Sequence, residues 1–402
     1  MAFEVRPCRD RDELVRAHYA IGSYFGAPID EERIERVLQL LELDRLHAAF
    51  DGGGVVGGAG AFSFDLTVPG GALPCAGVTL VGVYPTHRRR GVLRAMMEAQ
   101  LADVHERGEP IAALWASEET IYGRFGYGLS SWSGEIELRR VWSAYAQPLE
   151  RRGQTRFVTA EEAAVAFPPV WDALRRERPG VISRTEAWWR LRQLRIPDEE
   201  KANPRRFVAL DLDGSTQAYA IYRTSLSFEA GVSTSALDVQ EAVGATPQAT
   251  AEIWRFLLDI DWIETVRARI LPLDHPLFLL LATPRRTRFR IGDALWTRLV
   301  DVGAALSGRA SAGDGAVVFD VQDAVCPWNE GRWRVADGEA ARTDAEPDLA
   351  LDVSALGSAY LGAVSFGELR AAGRLEELRD GAVQRADALF TWRPLPWCPE
   401  IF

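Results

Sequence analysis

Lysine is almost missing from this 402-residue chain. Lys201 is the only one among 46 basic side chains. The bias reads as codon usage in a GC-rich genome and carries no functional conclusion, but it leaves no P-loop lysine-serine pair behind any glycine run. Cysteine is scarce too: Cys8, Cys75, Cys326 and Cys398 are scattered, without a Cys-x-x-Cys pair. His18, His47, His87, His105 and His275 form no cluster and none sits near a cysteine at metal-ligand spacing. Neither a structural metal nor a disulfide framework is expected. No apolar run approaches the ~18 residues of a membrane-spanning helix. The most apolar one, Pro276 to Thr283, is short and lies between Asp274 and Arg285. The N-terminus is charged from Glu4 onward and lacks a signal core, so the chain reads as cytoplasmic, with no membrane partner. A net charge of −11 argues against nucleic acid and suits a protein that handles cations, although solubility alone explains it as simply.

What is present is an alternation of helix and strand signals. Glu13–Tyr24 and Glu31–Leu43 read as helices, the second capped by Asp30. Leu46–Phe50 and Val55–Phe64 read as a hairpin around Asp51-Gly52-Gly53-Gly54. Gly52 to Gly57 formally fits G-x-G-x-x-G, but the residues after it are strand-like, so the hairpin reading is preferred. A strand from Val78 to Val83 ends at Pro85, and Arg90–Arg107 comes next as a helix with Leu93, Met96, Met97 and Leu101 on one face. A strand at Ile111–Ala116 and a short helix near Glu119–Phe125 complete a parallel crossover unit. Arg151 to Ile291 repeats this plan weakly, with Arg206–Gly214 and Ala218–Tyr222 as the hairpin and Pro247–Leu258 as the helix. Its connecting turn, Ala242 to Thr246, has no arginine. A third unit begins near Asp293, and the chain stops at Trp397-Cys-Pro-Glu-Ile-Phe402 without a polar tail. The expected class is α/β (α+β) with three domains, 1–150, 151–292 and 293–402.

The most informative segment is Val81-Gly-Val-Tyr-Pro-Thr-His-Arg-Arg-Arg-Gly-Val-Leu-Arg94. A strand runs into a tight turn and straight into a helix. Turn N–H groups, a helix N-terminus and arginine forks together make a pyrophosphate cradle. A solvated basic turn is the plain alternative; the strand-turn-helix setting favours the cradle.

Arg88-x-x-Gly91-x-Leu93 resembles the acyl-CoA signature Q/R-x-x-G-x-G/A of the GNAT superfamily of N-acetyltransferases, with Leu93 in place of the usual small residue. Tyr122-Gly-Arg-Phe-Gly126-Tyr127 resembles that superfamily's Y-x-x-x-G-F element. The strings Val83 to Gly91, Ala116 to Gly128 and Asp274-His-Pro-Leu277, with the final Phe402, are similar to the Eis acetyltransferases along the whole chain. The resemblance implies a GNAT domain, a second degenerate GNAT domain and a sterol-carrier-like C-terminal domain. It implies acetyl-CoA as co-substrate, with Val81, Gly82 and Val83 along its pantetheine arm. Arg88, Arg89, Arg90, Gly91, Val92, Leu93 and Arg94 would surround the pyrophosphate, and Ser117 and Glu118 would end the neighbouring strand.

The chemistry needs a neutral amine and a protonated leaving thiol. By the same resemblance Tyr122 is the acid, and the α-carboxylate of Phe402 the base, its affinity for protons raised by burial. Glu400 and Asp30 are candidate contacts for a small cationic amine such as an aminoglycoside, acetylated at one position or several. A homo-oligomer, a hexamer by family analogy, is expected. A protein lysine acetyltransferase and a non-enzymatic lipid-binding protein are the alternative readings.

Overall fold

The structure is a computed structural model and describes residues 3–26, 31–200 and 202–402. Two compact units emerge: 1–131 with 295–393 and 400–402, and 132–294 with 394–399. The expected divisions at 150 and 292 are not the limits of these units. Among the described residues no helix is long and apolar enough to cross a membrane.

The first unit is built on strands β1 (Glu4–Pro7), β2 (Leu46–Asp51), β3 (Gly54–Val68), β4 (Gly71–Val83), β5 (Ile111–Trp115) and β6 (Gly128–Leu129). A strand from far along the chain, Leu295–Leu299, inserts between β5 and β6. Only β4 and β5 pair in parallel in this seven-stranded sheet. The glycine turn at 52–53 makes the expected hairpin. The strand expected to start at Val78 starts at Gly71 instead, because Gly70 (φ 76°) closes a second, longer hairpin.

Helix α1 (Arg11–Phe25) is capped by Asp10, whose carboxylate accepts from the Glu13 N–H at 2.8 Å, and ends at Gly26 in the left-handed region. It lies tight on the sheet because Gly58 and Gly82 have no side chains. A Cβ on Gly82 would come 2.8 Å from the Ile21 backbone. Helix α2 (Glu31–Leu38) is shorter than the expected 31–43, since a one-turn 3-10 segment, Leu43–Arg45, already leads into β2. Helix α3 (Val92–Glu106) packs Met96, Met97 and Leu101 onto the sheet, as its periodicity predicts. Beneath it Arg45 is buried and forks onto Glu109 with two 2.9 Å bonds. Such a pair is costly to break singly. A single turn of helix, α4 (Glu119–Tyr122), comes after β5.

The first unit also holds a five-stranded sheet around Ala316–Gln322 and Gly331–Ala336. Its helix Val353–Tyr360 packs so closely on β6 that a Cβ on Gly128 would meet the Ser354 carbonyl at 2.0 Å. In a fully buried pair that ties these layers together, Arg298 Nη2 donates to both carboxylate oxygens of Asp323, at 2.8 and 2.6 Å.

The second unit carries another seven-stranded sheet. It contains β7 (Trp132–Arg139), β8 (Gln154–Val158), β9 (Arg206–Leu212) and β10 (Ser215–Ser225), with Ala236–Gly244, Thr265–Leu271 and Arg290–Asp293. Again one pair is parallel, Ala236–Val239 with Thr265–Ala268. Helix α5 (Ala160–Glu177) opens on a capping box of Thr159 and Glu162 and buries Phe167, Val170 and Trp171.

Candidate active site

Strands β4 and β5 pair only from Cys75, Ala76 and Gly77 to Ile111, Ala112 and Ala113. Beyond that they part. β4 stays paired with β3 up to Val83, and Leu114 and Trp115 of β5 pair with Trp296 and Leu295. The facing edges of Val78–Val83 and Leu114–Trp115 therefore do not pair with each other. A bulge between Gly58 and Gly60 turns β4, and Leu80 there has φ 53°. A leucine in this region is strained, and such strain gathers at functional sites.

A cavity of about 420 Å³ opens at this divergence. His18, Ile21, Gly22 and Phe25 line it from one face of α1, with Arg33 from α2. Val78 to Val81 and Trp115 to Ser117 supply the two strands, and Tyr122, Ile401 and Phe402 complete it. The expected Tyr122 and Phe402, far apart in sequence, thus share one cavity.

Tyr122, the last residue of α4, is 6 % exposed, its ring edge-on to Tyr127 at 5.9 Å. Burial pushes its phenol up to about 12; a hydrogen bond with Ser117 pulls it back, while Tyr24 and Glu118 push it further up. The hydroxyl is therefore protonated at neutral pH and available as a donor. His18 is 2 % exposed, and among the described residues its Nδ1 has no hydrogen-bond partner. Burial, then the charge of Arg33, lowers its pKa, so the ring is neutral near pH 7.

The arginine turn lies beyond β4. Arg89 (φ 61°) and Gly91 (φ 91°) both take left-handed conformations, and Gly91 is the residue from which α3 starts. The first turn of α3 holds no acidic residue, so no negative charge of its own opposes the helix dipole at its N–H groups. Arg90 pairs with Asp51 at 3.0 Å and Arg94 with Glu98 at 3.7 Å. Among the described residues Arg88 and Arg89 make no ion pair; Arg88 lies over the Tyr24 ring at 5.6 Å. The Tyr24 hydroxyl donates to the Glu118 carboxylate. Val92 is buried and Leu93 half-buried in the apolar clusters below the turn.

Glu400 is 3 % exposed and is not among the cavity-lining residues. Asp30 lies outside the described residues. Sequence reasoning missed His18, Phe25 and Arg33. The signal for the α1 face was the i, i+3, i+4, i+7 spacing of His18, Ile21, Gly22 and Phe25.

Residues 4–130 match an acetyltransferase (GNAT) domain family, 180–299 match a second one, and 302–399 match a sterol carrier protein domain family. An uncharacterized N-acetyltransferase of Streptomyces avermitilis is 41 % identical over 411 residues, covering all of both chains. The N-acetyltransferase Eis of Mycobacterium tuberculosis is 35 % identical over 357 residues, 84 % of each chain. The crystal structure of Eis1 from Mycobacterium abscessus superposes with a TM-score of 0.87 at 32 % identity, covering 99 % of this chain and all of that one. The chain belongs to the Eis family of N-acetyltransferases. It has the family's tandem GNAT domains followed by a sterol-carrier-like domain. GNAT domains imply acetyl-CoA as the acetyl donor, so the chain is an acetyl-CoA-dependent N-acetyltransferase. A GCN5-related N-acetyltransferase from Anabaena variabilis has the same fold, with a TM-score of 0.87 at 20 % identity.

Proposed function

We propose that this enzyme acetylates primary amines of small cationic molecules, aminoglycosides among them, at one or several positions. One observation carries the reading: the Tyr122 phenol and the final residue, Phe402, line one cavity where two parallel strands part.

The donor site fits this chain. The open edge of Val81, Gly82 and Val83 offers backbone groups to a pantetheine arm. The turn from Arg88 to Arg94, with its two left-handed residues and unopposed helix N-terminus, fits a pyrophosphate. Ser117 and Glu118 stand at the end of the facing strand. Acetyl-CoA supplies the activated acyl group. The Phe402 α-carboxylate takes a proton from the acceptor ammonium, which frees the nitrogen lone pair for attack. The Tyr122 Oη donates its proton to the departing thiolate, a role suited to a phenol that burial keeps protonated. On this reading both groups act on the reacting atoms, and Tyr122 and Phe402 are the catalytic residues.

Of the two carboxylates expected to meet a polyamine acceptor, Glu400 is buried and does not line this cavity, so the role falls to Asp30. The enzyme works in the cytoplasm as a hexamer. An acetyl-transfer screen, read as thiol release against aminoglycosides, aliphatic diamines and lysine peptides, tests the acceptor class. Transfer to aminoglycosides at several amines is expected; transfer to the peptides alone would make this a protein lysine acetyltransferase.

A further inference from the structure

The motif Asp274-His-Pro-Leu277 has no part in the donor or acceptor chemistry above, yet its first residue is held in place on both sides. Asp274 pairs with Arg178 at 2.7 Å. Its other carboxylate oxygen accepts from the Leu395 N–H at 2.8 Å, and Arg178 also donates to the Leu395 carbonyl at 2.7 Å. Two residues on, the Trp397 N–H donates to the Pro179 carbonyl at 2.9 Å, and its indole Nε1 donates to the Ile270 carbonyl at 2.6 Å. Gly180 permits this approach: it has φ 86°, and a Cβ there would come 3.0 Å from the Trp397 backbone. Residues 394–399 are in this way built into the second unit.

They are built in where the second sheet opens. Its parallel strands Ala236–Gly244 and Thr265–Leu271 stop pairing after Val239 and Ala268, so this sheet has a divergence of its own. Ile270 lies past that point on one strand. Val243 lies past it on the other, in the same buried cluster as Trp397, Trp171 and Tyr219. Trp397 is 7 % exposed. The second divergence is thus stoppered by the chain's own indole.

Phe402 lies five residues beyond Trp397, a tether that spans at most about 17 Å when extended. We infer that Asp274, Arg178 and Trp397 are positioning residues that fix the C-terminal strap and thereby set where the Phe402 carboxylate lies. The inference rests on the reading of that carboxylate as the base. It gives the second, degenerate GNAT unit a use, since that unit holds a peptide where its counterpart holds substrates. A loose strap would leave residues 400–402 to their own contacts in the first unit, and misplacement of a catalytic group by about 1 Å can cost ~100-fold in rate.

The test uses the full chain with Asp274→Asn, which removes the negative charge that pairs with Arg178, and Trp397→Phe, which keeps a ring but removes the Nε1–H. Each is measured for release of the terminal phenylalanine by a carboxypeptidase, for kcat and KM with acetyl-CoA, and for thermal unfolding. Losing one charge-assisted bond predicts release faster by about 10- to 100-fold. It also predicts a fall in kcat of similar size, with KM for acetyl-CoA unchanged. Release at the unaltered rate in both folded variants would overturn the anchor. Faster release with kcat unchanged would overturn the positioning role. In that case a glycine added after Phe402 tells which premise failed. If that extension abolishes transfer, the carboxylate reading survives and the positioning role alone falls; if transfer persists, the carboxylate is not the base.

Discussion

The rings of Phe402 and Phe64 meet edge to face, with centroids 5.2 Å apart and planes at 64°. They meet over Gly77, the last β4 residue that pairs with β5, where a Cβ would lie 2.3 Å from Phe64 and 3.3 Å from Phe402. Gly77→Ala should therefore displace the terminal residue. Overpacking of this kind costs about 1–3 kcal/mol. Lower kcat with a modest drop in Tm is expected, measured by steady-state assay and calorimetry. Full kcat in the variant would mean that the terminal ring moves without consequence.

Tyr122→Phe keeps the ring that packs on Tyr127 and removes the proton donor. The rate should fall by about 10²–10⁴-fold, with acetyl-CoA affinity little changed. The raised phenol also governs the pH profile. Since burial holds it near 12, Tyr122 stays protonated across pH 6 to 10, and its ionisation should produce no alkaline fall in kcat in that range. A fall near pH 8 that vanished in Tyr122→Phe would contradict the assignment.

Amidation of the terminus, by semisynthesis, changes the shape of Phe402 very little and removes its charge. Acetyl transfer should drop sharply while acetyl-CoA still binds. Phe402→Leu retains the α-carboxylate and should be milder. An ordinary packed terminus predicts the opposite order, visible in the two kcat values.

Calorimetry should find one acetyl-CoA site per chain. In the second unit the helix Pro247–Asp259 begins with a proline, and Thr246 accepts from the Ala249 N–H at 3.2 Å, so its first-turn donors are partly used or missing. Arg88→Gln with Arg89→Gln should raise KM for acetyl-CoA and leave kcat nearly unchanged. Two equivalent sites in the unaltered chain would refute the assignment to the first turn.

Stability should fall in acid. Burial pushes His275 down to about 3, with Arg178 acting in the same direction and Asp274 against it. Its Nδ1 accepts from the Leu277 N–H at 3.1 Å. The unfolded chain takes up this proton near pH 6.5, the native chain not until about 3, so between those values the unfolded state binds more protons. The contribution is complete above about 6.5 and is lost as pH falls toward 3, by about 1.4 kcal/mol per unit. Urea midpoints at pH 7.5, 6 and 5 should decline, and His275→Asn should flatten the slope. An unchanged slope would place the acid sensitivity elsewhere.

Much of the candidate site could be proposed from the sequence because its signals are local. The turn from Arg88 to Gly91 needs only neighbouring residues to be recognised, and so does the tyrosine of the short helix 119–125. The repeat was legible through the second hairpin and the helix beginning at Pro247. What could not be read was pairing at long range. Nothing in Leu295-Trp-Thr-Arg-Leu299 says that it belongs between β5 and β6, since a short buried strand carries no address. The same holds for β7, which comes almost directly after β6 yet joins the other sheet. His18 stayed hidden because a lone histidine on an apolar helix face looks like core, and Arg33 because its helix is mostly charged.

Until Leu295–Leu299 is synthesised, β5 has a bare edge, and the whole second sheet must leave the ribosome first. A nascent or truncated chain ending near residue 150 would present that edge to other chains, an invitation to aggregate. The N-terminal acetyltransferase domain is continuous as a sequence match but not as a folding unit. Expressing it alone should yield inclusion bodies, whereas a fusion that appends 295–299 directly behind β6 should recover soluble protein.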